Sequence, residues 1–211
     1  SGSELCWYVD PLDGTTNFAH GYPWFCVSIG LANVPKDQPP APDDLLVAVV
    51  YQPVTGELFT ATKGEGAYRN NKRIHVSSVD SLANSLLGTG FPAKKRQQNP
   101  NIHYYWNFTL RSHGVRRAGS AALDLATVAC GRFEGFWEFG LKPWDSAAGT
   151  LLIHEAGGCV TDFSGNPYRL GGRELVASNK LIHSAMLSVH AEIASGRALA
   201  PAPPEIPVPA R

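Results

Sequence analysis

From Phe25 to Arg69 the chain reads as short apolar strands divided by turns, and this stretch limits the fold more than any other. Phe25–Ala32 (FCVSIGLA) and Leu45–Gln52 are nearly continuous apolar segments of strand length. Pro53-Val54-Thr55-Gly56 turns the second into Glu57–Thr62, and Lys63-Gly64-Glu65-Gly66 turns again into Ala67–Arg69. Asn70-Asn71 suits a tight hairpin, because Asn tolerates positive φ. Connections this short join antiparallel neighbours, so the segment is a meander. Val34–Asp44 carries Pro35, Pro39, Pro40 and Pro42 and reads as an irregular loop.

The remainder alternates strands and helices. Cys6–Val9 reads as a short buried strand ending at Asp10, and Ser85–Thr89, Gly114–Arg117, Arg132–Glu138, Cys159–Thr161 and Leu175–Ala177 read as further strands. Helices are expected over Gln97–Ser112 and over Ser120–Cys130, with Ser120 as N-cap and Gly131 as the stop. Another is expected over Pro143–Ala156, ended by Gly157-Gly158. The last is Lys180–Ser195, where Leu181, Ile182, Ala185, Met186, Val189 and Ile193 share one face. The pattern indicates a mixed α/β or α+β layered fold. Residues 1–197 read as a single domain, and 198–211, with five Pro, as a disordered tail.

The 211 residues suffice for a substantial core. Only 17% are charged and the formal net charge is zero, so no global basic field points to nucleic acid. The basic clusters Lys94-Lys95-Arg96 and Arg116-Arg117 read as solvated surface. Cys6, Cys26, Cys130 and Cys159 form no CxxC pair. Buried free thiols at Cys26 and Cys130 fit a reducing, cytoplasmic setting. No apolar stretch reaches the roughly 18 residues of a membrane span.

Asp10-Pro11-Leu12-Asp13-Gly14-Thr15-Thr16-Asn17 concentrates chemistry in eight positions. Pro11 forces a bend between Asp10 and Leu12, so Asp10 can point from the strand end while Asp13 approaches from the turn. Leu12 offers only a main-chain carbonyl. Such an oxygen-only donor set favours Mg²⁺ over Zn²⁺. Gly14 permits a tight path, and the N–H groups that follow can hold a phosphate. The same residues also read as a plain turn at Asp13-Gly14 with Asp10 as a helix cap.

A second constellation is Glu138-Phe139-Gly140-Leu141-Lys142-Pro143-Trp144-Asp145. Asp145 falls in the first turn of a helix, where the macrodipole alone explains an acid; the functional reading is a third carboxylate at the metal. Ser146, Ala147, Ala148 and Gly149 allow that helix to pack closely. Glu138, at a strand end, can accept hydrogen bonds from a polyol, although alone it reads as a surface carboxylate.

Together, WYVDPLDGTTNFAHGYPWFCVSIGL and WDSAAGTLLIHEAGG closely resemble the two signature motifs of the inositol monophosphatase family. Gly119-Ser120-Ala121-Ala122 and Gly88-Thr89-Gly90-Phe91-Pro92 resemble family segments too. The likeness runs from about residue 5 to about residue 190 and looks like the bacterial inositol-1-monophosphatase branch. It implies a layered α-β-α-β sandwich and an Mg²⁺-dependent, lithium-sensitive phosphomonoesterase, commonly homodimeric, acting on a small phosphorylated polyol. Asp10, Leu12, Asp13 and Asp145 correspond to metal ligands. Gly14 and Thr15 correspond to the phosphate turn, with Thr15 and Asp13 in the catalytic machinery, and Ala121 and Glu138 to substrate contacts. Histidinol phosphate, fructose 1,6-bisphosphate and adenosine 3′,5′-bisphosphate are rival substrates among relatives. A non-catalytic metal- or phosphate-binding regulatory protein is the rival from another class.

One departure stands out. In the family the DPxDGTT loop follows a long segment with N-terminal helices and a Glu-Glu metal-ligand pair, whereas nine residues precede Asp10 here. Glu4 lies nearby but in a different setting, SGSELCW, and is not assigned as a ligand. The sequence therefore reads as a fragment, a truncated product or part of a longer protein. Its first metal site is expected to be incomplete, and its sheet to show a bare apolar face.

Overall fold

The computed structural model describes residues 4–91 and 99–198. Its first sheet is an antiparallel meander, β1 (Glu4–Asp13), β2 (Cys26–Val34), β3 (Leu45–Gln52), β4 (Glu57–Thr62), β5 (Gly66–Arg69) and β6 (Lys72–Ile74), in that order. Asn70 and Asn71, at φ 48 and 63, make the expected hairpin between β5 and β6. The Pro-rich connection is irregular except for a 3₁₀ turn at Pro42–Asp44, where Pro starts the turn and the Asp44 carboxylate accepts the Ala41 N–H.

The second sheet contains β7 (Leu86–Thr89), β8 (Gly114–Arg116), β9 (Gly135–Phe139), β10 (Cys159–Thr161) and β11 (Glu174–Ser178), ordered β10-β11-β9-β7-β8. β7 pairs in parallel with both β8 and β9. Besides the short α1 (Thr15–Ala19), the helices are α2 (Asn101–Arg111), α3 (Ala121–Ala129), α4 (Pro143–Glu155) and α5 (His183–Ala194). Leu181 lies ahead of α5 and is exposed, while Ile182, Met186, Val189 and Ile193 are buried. The α2 turns expected before residue 99 and the tail from 199 lie outside the described residues.

Helices α3 and α4 form the central layer. All nine residues of α3 are buried, and one apolar cluster joins both helices to the meander and to Phe136, Leu175 and Ala177 of the second sheet. A second cluster, with Leu87, Trp137, Val176, Tyr104, Phe108 and Met186, packs α2 and α5 on that sheet's far face. Small residues set the spacing. A Cβ at Gly149 would stand 2.4 Å from Leu125 Cβ, and one at Gly30 would stand 2.8 Å from Ala147 Cβ. The layers are therefore sheet, helix pair, sheet, helix pair, the sandwich expected of the family.

β1 differs from its expectation as a short buried strand ending at Asp10. It runs on to Asp13 at the sheet edge, with none of its residues fully buried. Leu5, Trp7 and Val9 alternate onto the outer face at 67%, 59% and 48% exposure, beside exposed Tyr51 and Leu58. Its apolar residues face outward because the helix pair covers the opposite side of the sheet. Among the described residues nothing covers this outer face.

Candidate active site

Between Asp10 and Asp13 the ladder breaks. Asp10 pairs with Ser28 and Asp13 with Cys26, so three steps on β1 match two on β2. Pro11 cannot donate to a ladder, and the extra residue forms a bulge that re-aims the side chains around it. Asp10 Oδ1 accepts the Leu12 N–H at 2.9 Å, closing the bulge on itself rather than capping a helix. Asp13 crosses to the central layer. Its Oδ2 accepts the Ser120 hydroxyl and the Ala122 N–H, both at 2.7 Å, at the N-terminus of α3, where the helix dipole favours an anion. Ser120 is the predicted N-cap and also accepts the Leu123 N–H.

Gly14 follows at φ 90, and a Cβ there would stand 2.8 Å from the Trp24 carbonyl. Gly14→Ala is expected to destabilise the protein by about 2–4 kcal/mol, from left-handed strain plus an overpacked contact. Denaturant unfolding measures this, and an unchanged midpoint would show that the turn can yield. Thr15 donates its hydroxyl to the Leu12 carbonyl at 3.0 Å. Asn17 ties the loop down through the Trp24 and Ala118 carbonyls at 2.7 and 2.9 Å.

Asp145 enters from the first turn of α4, where its Oδ2 accepts the Lys142 N–H at 2.7 Å. The capping reading thus holds for Asp145, whose carboxyl also meets that of Asp10. Ser28 donates to the Trp144 carbonyl and joins β2 to this helix start. Glu138 is fixed from the second sheet. The buried Asn101 donates to Thr89 Oγ1 and the Gly90 carbonyl and accepts from Trp137 Nε1, while Thr89 donates to the Trp137 carbonyl. That network locks the end of β7 against β9. A Cβ at Gly90 would stand 2.2 Å from the Glu138 carboxyl, so the carboxyl fills the space a side chain there would take.

These elements surround a cavity of about 450 Å³. Asp10, Leu12, Asp13 and Asp145 line it together with Gly14, Thr15, Ala121 and Glu138. All eight residues singled out in the sequence therefore border one space. Glu138 is a pocket residue rather than a surface carboxylate. Arg117, read as solvated, also lines the pocket, with its guanidinium 6.0 Å from the Phe91 ring centroid. Asp124 lines it as well and had drawn no notice, because its helix reads as core. Its position three residues after Ala121 places it on the same helix face.

The cavity gathers acid groups in a desolvated setting. Burial pushes Asp13 and Asp145 each up to about 6; the Ser120 and Ala122 donors oppose this at Asp13, and the Lys142 N–H opposes it at Asp145. Asp10 raises both further. Burial, then Asp13 and Asp145, push Glu138 to about 8, and Arg117 lowers it in part. Carboxyls crowded until they resist ionising form a donor set that a hard cation relieves. Among the described residues no three His, Cys, Asp or Glu side chains enclose one metal position. A full protein cage is not required for Mg²⁺, which keeps several waters and binds through one or two carboxylates with substrate phosphate. The residues present fit such an ion.

The inositol monophosphatase family model matches residues 1–195. A protein of Pseudomonas aeruginosa named Nus factor SuhB is 47% identical over 89% of this chain and 67% of its own length. The inositol-1-monophosphatase of Synechocystis is 46% identical over 87% of this chain and 62% of its own. This chain thus spans about two thirds of the length of the curated relatives it matches. The inositol monophosphatase structure from Anabaena superposes with a TM-score of 0.82 at 44% identity, over 90% of this chain and 72% of that one. With the family model spanning nearly its whole length, the chain belongs to the inositol monophosphatase family.

Proposed function

We propose that the intact protein is an Mg²⁺-dependent phosphomonoesterase acting on a small polyol phosphate, foremost myo-inositol 1-phosphate. The observation that carries this reading is the convergence of Asp10, Asp13 and Asp145 on the cavity that also holds the Gly14 turn and Glu138. Asp10, Asp13, Asp145 and the Leu12 carbonyl would hold the cation. When bound, it supplies Lewis acidity to the attacking water and to the leaving alkoxide. The N–H groups following Gly14 bind the phosphate, and the chain itself need not be phosphorylated. Thr15, whose hydroxyl hydrogen is directed to the Leu12 carbonyl, presents an oxygen that accepts from the attacking water and orients it. Glu138 and the Ala121 backbone hold the polyol, which fixes the ester in line with attack.

Phosphate release with and without Mg²⁺ tests the reading. Histidinol phosphate, fructose 1,6-bisphosphate and adenosine 3′,5′-bisphosphate run in parallel rank the substrates, and no Mg²⁺-dependent release from any of the four overturns it. A homodimer and a cytoplasmic setting complete the proposal, the latter supported by four free cysteines. A second reading is a regulatory factor acting through a protein partner. The Nus factor name of a 47% identical relative and the uncovered apolar face favour it. Partner binding by a protein that releases no phosphate would select it.

A further inference from the structure

Asp124 is 1% exposed and borders the cavity, yet its Oδ1 has no hydrogen-bond partner. Buried polar atoms ordinarily have one. The simplest reason for an acid in the first turn of a helix is to cap it. At α3 that duty is already met, because Asp13 and Ser120 take the Ala122 and Leu123 N–H groups. The Trp24 indole lies against the Asp124 carboxyl, and Trp24 Nε1 also lacks a partner of ordinary geometry. The remaining groups acting on Asp124 are Glu138, Asp13 and Arg117. Asp13 is committed to α3. Asp124, Glu138 and Arg117 thus line the same cavity as groups that neither the β1 bulge nor the α3 cap uses.

We propose that Asp124 is a substrate-specificity residue, which pairs with hydroxyls of the polyol alongside Glu138. The inference rests on the phosphatase reading and deepens it. A polyol has adjacent hydroxyls that both donate and accept, and it can satisfy two carboxyl groups and a guanidinium at once. A phosphate ester without further hydroxyls leaves Asp124 desolvated with only the Trp24 indole against it, a condition under which polar sites reject analogues.

The test uses the full chain with myo-inositol 1-phosphate and with phenyl phosphate, which carries no hydroxyl. Asp124→Ala is expected to raise KM for the inositol ester relative to phenyl phosphate by about tenfold, the order of leaving one buried hydrogen-bonding group unsatisfied. Asp124→Asn keeps the shape, carries the test if the Ala variant does not fold, and is expected to shift the same ratio in the same direction by less. Calorimetry with free myo-inositol is expected to show the matching loss of affinity. The unfolding midpoint of Asp124→Asn should be unchanged or higher, since a buried unpaired acid contributes little to stability. An unchanged KM ratio, or an equal change for both substrates with a lowered midpoint, gives Asp124 a purely structural role and overturns the inference. Wild-type protein that releases phosphate from neither ester would instead overturn the phosphatase reading itself.

Discussion

Asp145→Asn is expected to lower Mg²⁺-dependent phosphate release by about 10³-fold, the order set by losing several kcal/mol of metal-based stabilisation, while the fold survives. Asparagine keeps the size of the side chain and an oxygen that can accept the Lys142 N–H. The start of α4 is therefore kept. What disappears is one negative charge beside Asp10 and Asp13. For the cation that charge is a ligand, and for the metal-free protein it is a source of repulsion. The same substitution should thus leave the metal-free unfolding midpoint unchanged or raise it slightly. Phosphate release and thermal unfolding on one sample separate the two effects. Turnover equal to wild type would remove Asp145 from the metal site, and a collapsed midpoint would make the residue a structural cap.

The second large effect is a stability that falls as pH rises, restored by a divalent cation. In the unfolded chain these carboxyls lose their protons near about pH 4. Folding holds Asp13 and Asp145 protonated to about 6 and Glu138 to about 8, chiefly through burial. Asp124 is raised as well, by burial and then by Glu138. Between those limits the folded state binds more protons than the unfolded state, so stability declines with pH. For Asp13, Asp145 and Glu138 the contribution is complete below the unfolded values and gone above about pH 8. Each tenfold change in proton affinity is about 1.4 kcal/mol, so the decline amounts to several kcal/mol. Mg²⁺ competes with those protons, and its stabilising effect should grow across the same range. Unfolding midpoints from pH 4 to 9, with chelator and with Mg²⁺, read both slopes. A chelated protein that gains stability from pH 5 to 8 would contradict the electrostatics described.

Much of this arrangement was legible in the sequence, and the misses have physical causes. The meander was readable because its three short turns all use residues that accept positive φ. The pairing of DPLDGTT with the WDSAAG helix was readable because both motifs are dense in chemistry. The bulge was not, because Pro11 reads as the end of a strand and only the partner register shows the ladder resuming at Asp13. Cys6–Val9 read as buried because an apolar run does not report whether anything covers its faces; the exposure of Trp7 and Val9 instead matches the bare apolar face expected from the departure at the N-terminal side. Glu138 and Arg117 read as surface because their enclosure comes from Gly90 and Phe91, on other elements. Asp124 stayed hidden in a segment that otherwise reads as core.

The contacts of Asp13 have a consequence for how this molecule acquires its chemistry. Its two hydrogen bonds into α3 span 107 and 109 residues of chain, and Asp145 lies farther along still. The strands β2 to β8 and helix α2 lie between Asp13 and α3, and contacts so distant in sequence form slowly, so no local piece of the chain contains the cavity. Cation affinity should therefore appear last during refolding, in step with the final cooperative phase. A stopped-flow signal for Mg²⁺ binding would serve as a clock for the native state rather than for collapse.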